Sequence, residues 1–385
     1  MISSQRDGYV SIYALFSLSS LLAALALAVN AGWLGTGRVE LQSAADAAAL
    51  AAASNLINDE WLRLGSPDAD SVLTAARNAS IEYAGRNRAL GRVVVQTTDD
   101  VYIGAYDANG VIVPVDDSPT LDEADVTSVL ATRYRSRGEG VPILLGPLVL
   151  IPEVDLQAVA QARLDRDVIG FRALDNQSIP MVPLGILSDP TAFNVLSWEY
   201  LIVNRNGTDS FSFSPGGFVT GSDGIQEIDI SLPLSPTGVV TDGNGTLLQL
   251  GAGNPYAQVT AGVSAGDLLE TNKRLLLDPA TNLLPVTASV GPAPSSTNYN
   301  TLVENLNTLR LAGSVRIFPL VQNNSHINAF VAARIVQITE NTGGPLVVRL
   351  QPAMMAAPLA ITDSARRDSA HLLPSPYLAK VRLAR

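Results

Sequence analysis

The chain has 385 residues, of which 47% are hydrophobic and 16% are charged, and its formal net charge is −11 at pH 7. A chain this apolar can bury a large core, which excludes bulk disorder, and its negative charge disfavours nucleic acid as a partner because phosphate binding requires a basic surface. The absence of cysteine excludes thiolate metal sites, thiol catalysis and disulfides.

The first feature along the chain is an uncharged apolar run. Residues 9–29 read YVSIYALFSLSSLLAALALAV. As a helix rising ~1.5 Å per residue, the run spans roughly 31 Å, which matches a hydrocarbon core of about 30 Å. We predict a single transmembrane helix here. The residues predicted to anchor it in the membrane are Tyr9, Leu15, Leu22, Val29 and Trp33.

Two alternatives concern cleavage of this segment. Ala26-Leu27-Ala28 fits a signal-peptide cleavage triplet, but the apolar run is longer than the 7–15 residues usual in such peptides, which favours a retained anchor. Gly8 before the run resembles the site cleaved in type IV pilins, but Tyr13 stands where those proteins carry glutamate. We expect Gly8 to remain uncut, and cleavage of the N-terminus stays open.

The orientation of the helix depends mainly on the long chain beyond it. The N-terminal segment carries Arg6 but also Asp7, so the positive-inside rule gives a weak signal. The long acidic and strand-rich remainder suits export. We therefore predict a bacterial inner-membrane protein with one membrane pass and the bulk of the chain in the periplasm.

An alanine-rich helix is predicted directly after the membrane segment. Residues 39–53 read VELQSAADAAALAAA, a composition of very high helix propensity. Four small or apolar residues share one face, and two polar residues form a stripe beside it. The face indicates either an ordinary packed helix or stalk, or a close contact with another protein. The interface candidates are Leu41, Gln42, Ala45, Asp46, Ala48 and Ala52.

The N-terminal glycine, the single apolar helix and the string LQSAADAAALAAA together resemble the N-terminal region of TadG-like Flp pilus-assembly proteins. The resemblance covers residues 1 to about 55. It implies an inner-membrane anchor and a role in Tad-type pilus or secretion machinery. Two short segments, Asp165–Leu187 and Val348–Met354, resemble extensions of planctomycete-type members of the family.

Three regions differ in pattern, and together they predict an α+β fold. Residues 1–57 are the transmembrane anchor and alanine-rich helix. Residues 58–171 are predicted to be a small α+β unit, because a helix at Ser66–Asn87 precedes a run of short strands. Residues 172–385 are predicted to be a β-rich extracytoplasmic domain, because Asn-Gly and Gly-Gly pairs punctuate short alternating runs.

Individual segments within these regions carry their own signals. Glu153–Ile169 fits a strand or a helix, and its alternating apolar residues favour the strand. Helices are predicted at Ser264–Asn272 and Asn300–Leu309. Other predicted strands are Arg92–Thr97, Val101–Tyr106, Val111–Val115, Val126–Arg135, Ala312–Leu320, Ile327–Thr339 and Pro345–Pro352. The basic residues interpreted as a solvated tail are Arg366, Arg367, Lys380, Arg382 and Arg385.

One catalytic motif occurs, since residues 262–266 read GVSAG and fit the G-x-S-x-G pattern of a nucleophile elbow. The motif follows a strand-like run at Tyr256–Thr260 and precedes a predicted helix. A hydrolase would use Ser264 with Asp278 and His326. The stronger interpretation is a capping box, because Ser264 precedes Asp267 by three residues at the start of a predicted helix. We therefore predict no catalytic residue.

Two acidic loops partly match cation-binding loops. Asp116–Thr120 resembles the D-x-S-x-S loop of von Willebrand A domains, but Thr120 replaces the second serine. Asp242 starts a run like a calcium loop, but Gly253 stands where the final acid is required. Neither loop is complete, so we predict no metal site and no cofactor.

These observations lead to a ranked set of functions. The first is a non-enzymatic inner-membrane component of a Tad/Flp-type pilus or cell-envelope assembly apparatus. Its expected partners are the membrane and other Tad-type pilus or envelope proteins. The alternative is an envelope-anchored binding module unrelated to pili, and a serine hydrolase using Ser264 is a remote third. The oligomeric state and the specific ligand stay open.

Overall fold

A computed structural model of the protein describes most of the chain. Helices and strands are both abundant in it, which confirms the predicted α+β class. The cation-like loop positions 116–119 and 242, and the basic residues Arg366, Arg367 and Arg385, lie outside the described residues. The described residues are 7–65, 67–107, 111–115, 120–146, 151–214, 217–232, 243–288, 296–322, 325–340, 345–363 and 375–384.

Helices stand at the start of the chain and between strands later on. Their bounds are α1 Asp7–Asn55, α2 Ala69–Gly85, α3 Pro255–Ala261 and α4 Ser296–Ala312. The Asp68 carboxylate accepts a hydrogen bond from Ser71 N at 3.0 Å and caps α2, as expected of an acidic residue at a helix start. Helix α2 confirms the predicted helix at Ser66–Asn87, and α4 confirms the one at Asn300–Leu309.

Strands fill most of the remaining chain. In the first half they are β1 Arg88–Ala89, β2 Arg92–Val93, β3 Val101–Tyr106, β4 Ile112–Pro114, β5 Val126–Arg133, β6 Val141–Pro142, β7 Glu153–Val154, β8 Leu156–Asp165, β9 Val168–Arg172 and β10 Leu184–Leu187. In the second half they are β11 Phe211–Ser214, β12 Gly217–Thr220, β13 Ile228–Leu232, β14 Gly245–Gln249, β15 Arg274–Leu276, β16 Leu284–Pro285, β17 Thr287–Ala288, β18 Arg316–Gln322, β19 His326–Glu340, β20 Leu346–Pro352, β21 Met355–Ala356, β22 Ala360–Thr362 and β23 Leu378–Ala384.

The first sheet has the strand order β21-β23-β8-β5-β3-β4. Its centre is the antiparallel pair β5–β8, which runs from Val126 opposite Arg163 to Arg133 opposite Leu156. Side chains along β8 alternate between buried and more exposed positions, as they do when one face of a sheet covers a core. The strand interpretation of Glu153–Ile169 is confirmed, because that segment contains β7, β8 and the start of β9.

Helices α1 and α2 cover one face of the first sheet. The C-terminal half of α1 packs against α2 and against β5 and β8. Alanines of α1, Val72 and Leu73 of α2, and apolar residues of the strands share one core. Because alanine is small, the helix axis lies close to the sheet.

The second sheet has the order β13-β20-β19-β18-β10-β14-β17, with β16 beside β19. Its central strands β18, β19 and β20 are antiparallel neighbours, whereas β10 runs parallel to β18. Helix α4 packs against β19 and α3, and the larger hydrophobic core lies among these elements. The predicted strands at Ala312–Leu320, Ile327–Thr339 and Pro345–Pro352 correspond to β18, β19 and β20, although β18 starts four residues later because α4 continues to Ala312.

The end of the chain returns to the first sheet. Strand β23 pairs antiparallel with β8, and Arg382 forms an ion pair with Asp165. Lys380 Nζ donates to Ala360 O at 2.7 Å. The solvated-tail interpretation is therefore wrong for Lys380 and Arg382, because a strand pairs them with partners. The boundary at residues 171–172 stays a prediction.

Two local predictions are also wrong. Residues 256–260, which have strand-like alternation, lie in helix α3, where Pro255 occupies the first turn and Asn254 caps it by accepting from Tyr256 N at 3.0 Å. The predicted helix at Ser264–Asn272 is instead a series of turns ending in a 3₁₀ turn at Leu269–Thr271.

Candidate membrane anchor and its junction with the first sheet

The N-terminal half of α1 is an apolar helix with almost no protein around it. Leu15 is 64% exposed, Leu22 47% and Val29 40%. This stretch is long and apolar enough to cross a bilayer. The predicted transmembrane helix is confirmed as a membrane anchor. Tyr9 lies in the helix, but its side chain is outside the described ones.

Serines within this half do not oppose membrane insertion. Ser17 Oγ donates to Tyr13 O at 2.8 Å, and Ser19 Oγ donates to Leu15 O at 2.8 Å. A hydroxyl in hydrocarbon must find its partner within the protein, and a carbonyl one turn earlier supplies it. The hydroxyls of Ser17 and Ser19 therefore present no unpaired donor to lipid.

Where α1 leaves the predicted span, the hairpin β6–β7 lies against it. Asn30 Oδ1 accepts a hydrogen bond from Leu145 N at 3.2 Å. Trp33 Nε1 donates to Pro142 O at 3.1 Å. Trp33, predicted as a membrane-anchor residue, is therefore also bonded to strand β6.

Farther along α1, Gly37 and Glu40 hold the turn of the hairpin β1–β2. A Cβ atom on Gly37 would lie 2.6 Å from Leu90 Cδ1, so the Leu90 side chain would have to shift to admit a larger residue. Glu40 Oε2 accepts from Leu90 N at 2.6 Å. Leu90 has φ +50°, a conformation that is uncommon for a bulky residue. The glycine and the carboxylate together hold this strained turn in place.

The small face of the alanine-rich helix is buried within the chain. Leu41, Ala45, Ala48 and Ala52 are all 0% exposed. Thr127 Oγ1 on β5 donates to Ala49 O at 3.0 Å, which shows how closely the helix backbone meets the sheet. The predicted contact of this face with another protein is therefore corrected, because the partner of the face is the first sheet of the same chain.

The polar stripe beside that face has a local role as well. Gln42 Nε2 donates to Asp46 Oδ1 at 2.8 Å and to Val159 O at 3.0 Å. Gln42 is exposed and Asp46 is half-buried. The stripe fixes the rim of the helix to β8, and both side chains still reach solvent.

A 3₁₀ turn at Asp59–Leu62, just after α1, contacts the second sheet. Asp59 forms an ion pair with Arg334 on β19, and Asp59 Oδ1 accepts from Met354 N at 2.6 Å. The Arg334 guanidinium lies 4.3 Å from the ring centroid of Phe213. Since Arg334 is mostly buried, Asp59 balances a charge that would otherwise be costly.

A buried acid, Asp100, lies directly before strand β3 of the first sheet. Burial by itself would raise the pKa of Asp100, but bonds from Arg137 and Thr97 outweigh it and hold that pKa below its ordinary value. Arg137 contacts the carboxylate through both terminal nitrogens, at 2.7 and 2.9 Å. This fork geometry is the strong form of an ion pair.

The hydrolase residues are used in local structure. Ser264 Oγ accepts from Asp267 N at 3.2 Å and Ser264 N donates to Asp267 Oδ2 at 2.8 Å, the reciprocal bonds of a capping box. His326 Nδ1 lies 2.8 Å from Ser325 Oγ. Asp278 accepts from Ala280 N at 2.8 Å in a turn. The capping-box interpretation is confirmed, although the helix it was expected to start is absent.

A cleft of about 440 Å³ has a basic lining that includes Arg172, Arg274 and Lys380. Arg172 and Arg274 stand directly opposite each other on β9 and β15, where like charges repel. Both side chains are exposed, so water and salt screen the repulsion without a bound anion. The cleft offers hydrogen-bond donors, but its geometry selects no ligand.

Sequence reasoning missed the contacts of Asn30, Gly37 and Glu40. A signal was present for two of them: an amide directly after an uncharged run, and a glycine within a sequence that otherwise strongly favours helix. Their partners, Leu145 and Leu90, are far away in the chain, and no local pattern relates them.

The family model of TadE/G-like Flp pilus-assembly proteins matches residues 8–55. This match confirms the resemblance at the N-terminal region and coincides with helix α1. No curated protein and no solved structure matches the chain.

Proposed function

We propose that the chain is a non-enzymatic, single-pass component of a Tad/Flp-type pilus or cell-envelope assembly apparatus. Its place would be the bacterial inner membrane, with both sheets in the periplasm. The observation that carries the proposal is the coincidence of the family match at residues 8–55 with α1, whose first half is apolar and uncovered and whose second half belongs to the core.

The continuity of α1 supports a structural role. The helix has 49 residues, which at ~1.5 Å per residue gives a length of roughly 73 Å. Contacts at Asn30, Trp33, Gly37, Glu40 and Gln42 fix it to the rest of the fold. A movement of the membrane helix would therefore also move the sheets.

The non-enzymatic part of the proposal is supported by the use of Ser264 in a capping box. A hydrolase using Ser264 would need His326 as a base at hydrogen-bond distance from Ser264, but His326 contacts Ser325 and the hydroxyl of Ser264 bonds to Asp267. A serine-reactive fluorophosphonate that labelled Ser264 in the folded protein would contradict this part.

The experiment for the whole proposal is photo-crosslinking in living cells. A photoreactive amino acid would be placed at Leu22 on the bare face of α1, and at Val39, which is 71% exposed just beyond the predicted span. We expect at least one position to capture an identified protein of the Tad/Flp machinery. A matched position at Ala48, which is 0% exposed, should give crosslinks only within the chain.

A deletion strain gives the functional arm of the same test. Loss of the gene should abolish Flp-type pilus assembly, and the wild-type chain should restore it. Normal assembly in the deletion strain, together with no capture of a Tad-type protein from Leu22 or Val39, would contradict the proposal. That result would favour an envelope-anchored binding module.

A further inference from the structure

The hairpin β6–β7 has an apolar segment at its tip. Residues 140–152 contain no charged side chain and no serine, threonine, asparagine or glutamine. Exposed loops normally use glycine, asparagine, aspartate and serine for their turns, so this composition is unusual for a segment facing water. The base of the hairpin is regular, with Val141 opposite Val154 and Ile143 N bonded to Pro152 O at 3.0 Å.

The described part of the hairpin contacts α1 at the end of the predicted span. Leu145 N donates to Asn30 Oδ1 at 3.2 Å, and Asn30 directly follows Val29 at the end of the predicted span. Ala26, one turn earlier on the same helix face, is 0% exposed although the residues on either side of it are exposed. Ala26 lies three helical steps before Val29, the last residue of the predicted span. At ~1.5 Å per residue, the covered face therefore extends about 4.5 Å into the span.

Two large aliphatic side chains at the tip remain uncovered. Leu144 is 52% exposed and Ile151 is 49% exposed. Glu139 and Glu153 flank the uncharged run, and Glu153 lies in β7 at the base of the hairpin. The charges therefore lie toward the sheet, while the exposed aliphatic groups lie beside the membrane helix.

Three backbone donors in the described part of the hairpin have partners. A loop near hydrocarbon is tolerated only if its backbone donors are paired. Gly146 N donates to Ile143 O at 3.0 Å, Ile143 N bonds across the hairpin, and Leu145 N uses the side chain of Asn30. The bond to Asn30 satisfies a donor that would otherwise point at lipid.

We propose that Leu144 and Ile151 enter the outer leaflet of the bilayer that α1 crosses, at the boundary between headgroups and acyl chains. The proposal rests on the membrane anchor in the proposed function. The hairpin is a second contact with lipid, beside the helix, and it fixes how the periplasmic part is rotated about α1. Because the flanking charges are acidic, the contact is hydrophobic and does not require anionic lipid.

The test uses the full chain in nanodiscs of phosphatidylethanolamine and phosphatidylglycerol. Since the protein has no cysteine, a single cysteine carries an environment-sensitive nitrobenzoxadiazole label at Leu144→Cys or Ile151→Cys. Lipids bearing a nitroxide either near the headgroup or near the end of the acyl chain act as quenchers. Leu22→Cys measures insertion of the membrane helix. Val203→Cys is the water-facing control, because Val203 is 57% exposed and lies outside α1 and the hairpin.

We expect the labels at positions 144 and 151 to be quenched about twofold or more by the shallow nitroxide, and less by the deep one, as for residues buried ~5–10 Å at the interface. The label at 22 should be quenched by the deep nitroxide, and the label at 203 by neither. Replacing phosphatidylglycerol with phosphatidylcholine should leave the values unchanged.

The outcomes separate the two proposals. Quenching at 22 with none at 144 or 151 overturns the hairpin contact and leaves the anchor intact. Absence of quenching at 22 overturns the anchor itself. Quenching at 144 that disappears without anionic lipid overturns the hydrophobic account of the contact.

Discussion

The two halves of α1 are both apolar, but they use side chains of different size. Between Ile12 and Val29 the helix presents leucine and phenylalanine outward, and Phe16 is 67% exposed. Between Leu41 and Ala53 alanine predominates and is buried against the first sheet. Large side chains have much area to bury in lipid, whereas small ones gain little there but allow close backbone contact. Size therefore separates the lipid-facing half from the protein-facing half.

The largest effect is expected when charge is introduced into the lipid-facing half. Leu18→Arg combined with Leu22→Arg should release the chain from the membrane, because each arginine near the bilayer centre costs about 2.5–3.5 kcal/mol, or roughly 5–7 kcal/mol together. Carbonate extraction of membranes measures the loss. The control, Val39→Arg beyond the span, should remain in the membrane fraction. Full retention of the double variant would show that this half does not face lipid.

Acid should affect the packed half and spare the lipid-facing half, which has no Asp, Glu, His, Lys or Arg between residues 12 and 29. The folded-state pKa of Asp100 lies below its ordinary value of 3.8. Its stabilising effect is therefore complete above 3.8 and is lost as pH falls through 3.8 towards the folded-state pKa.

Asp100→Asn tests this pH dependence. It should lower the free energy of unfolding by about 1.5–3 kcal/mol at neutral pH, since it removes charged hydrogen bonds to Arg137. The difference from wild type should shrink on acidification below 3.8, as followed by urea unfolding in detergent micelles. A difference that stays constant with pH would contradict the assignment.

Enlarging a buried alanine should strain the packed half without affecting membrane retention. Ala48→Leu places three extra carbon atoms at a site that is 0% exposed, and overpacking of this kind typically costs about 1–3 kcal/mol. Ser43→Leu, at an exposed position of the same helix, is the matched control and should change stability little. Urea unfolding in micelles compares the two. Equal stability of both variants would indicate that the alanine face is not packed as described.

A smaller effect distinguishes two neighbouring glycines at the transition between the halves. Gly35→Ala should stabilise the helix by up to ~1 kcal/mol through helix propensity, because nothing lies within 4 Å of the added Cβ. Gly37→Ala gains the same propensity but meets Leu90 Cδ1 at 2.6 Å and Leu156 Cδ1 at 3.2 Å. We expect Gly37→Ala to be less stable than Gly35→Ala by about 1 kcal/mol or more. The reverse order would mean that Leu90 moves aside freely.

The sequence predicted those features that depend on local pattern. The uncharged run at residues 9–29 and the alanine string were sufficient for the membrane anchor and for the family resemblance. Strand β3 was predicted with its observed bounds, because Val101–Tyr106 is rich in β-favouring residues and is followed by turn residues. The alternating apolar residues of β8 were likewise sufficient to choose strand over helix.

Features that depend on distant contacts were not predictable in this way. The spacing of the alanines along the helix is the same whether this face contacts another protein or β8 of the same chain. The sequence of the helix therefore could not identify its partner. Arg382 looks like part of a solvated tail until the pairing of β23 with β8 brings it within ion-pair distance of Asp165. Residues 256–260 alternate like a strand, but Asn254 and Pro255 start a helix there. In that case capping outweighed periodicity.

The most direct test of the membrane topology is the accessibility of single cysteines on either side of the proposed span. Ser3→Cys and Ser43→Cys each give the chain one thiol, because the wild type has none. A membrane-impermeant maleimide is applied to intact spheroplasts and then to lysed ones. We predict that Ser43→Cys is labelled before lysis and Ser3→Cys only after it. Labelling of Ser3→Cys in intact spheroplasts, or protection of Ser43→Cys until lysis, would contradict an anchor that places both sheets outside the cytoplasm.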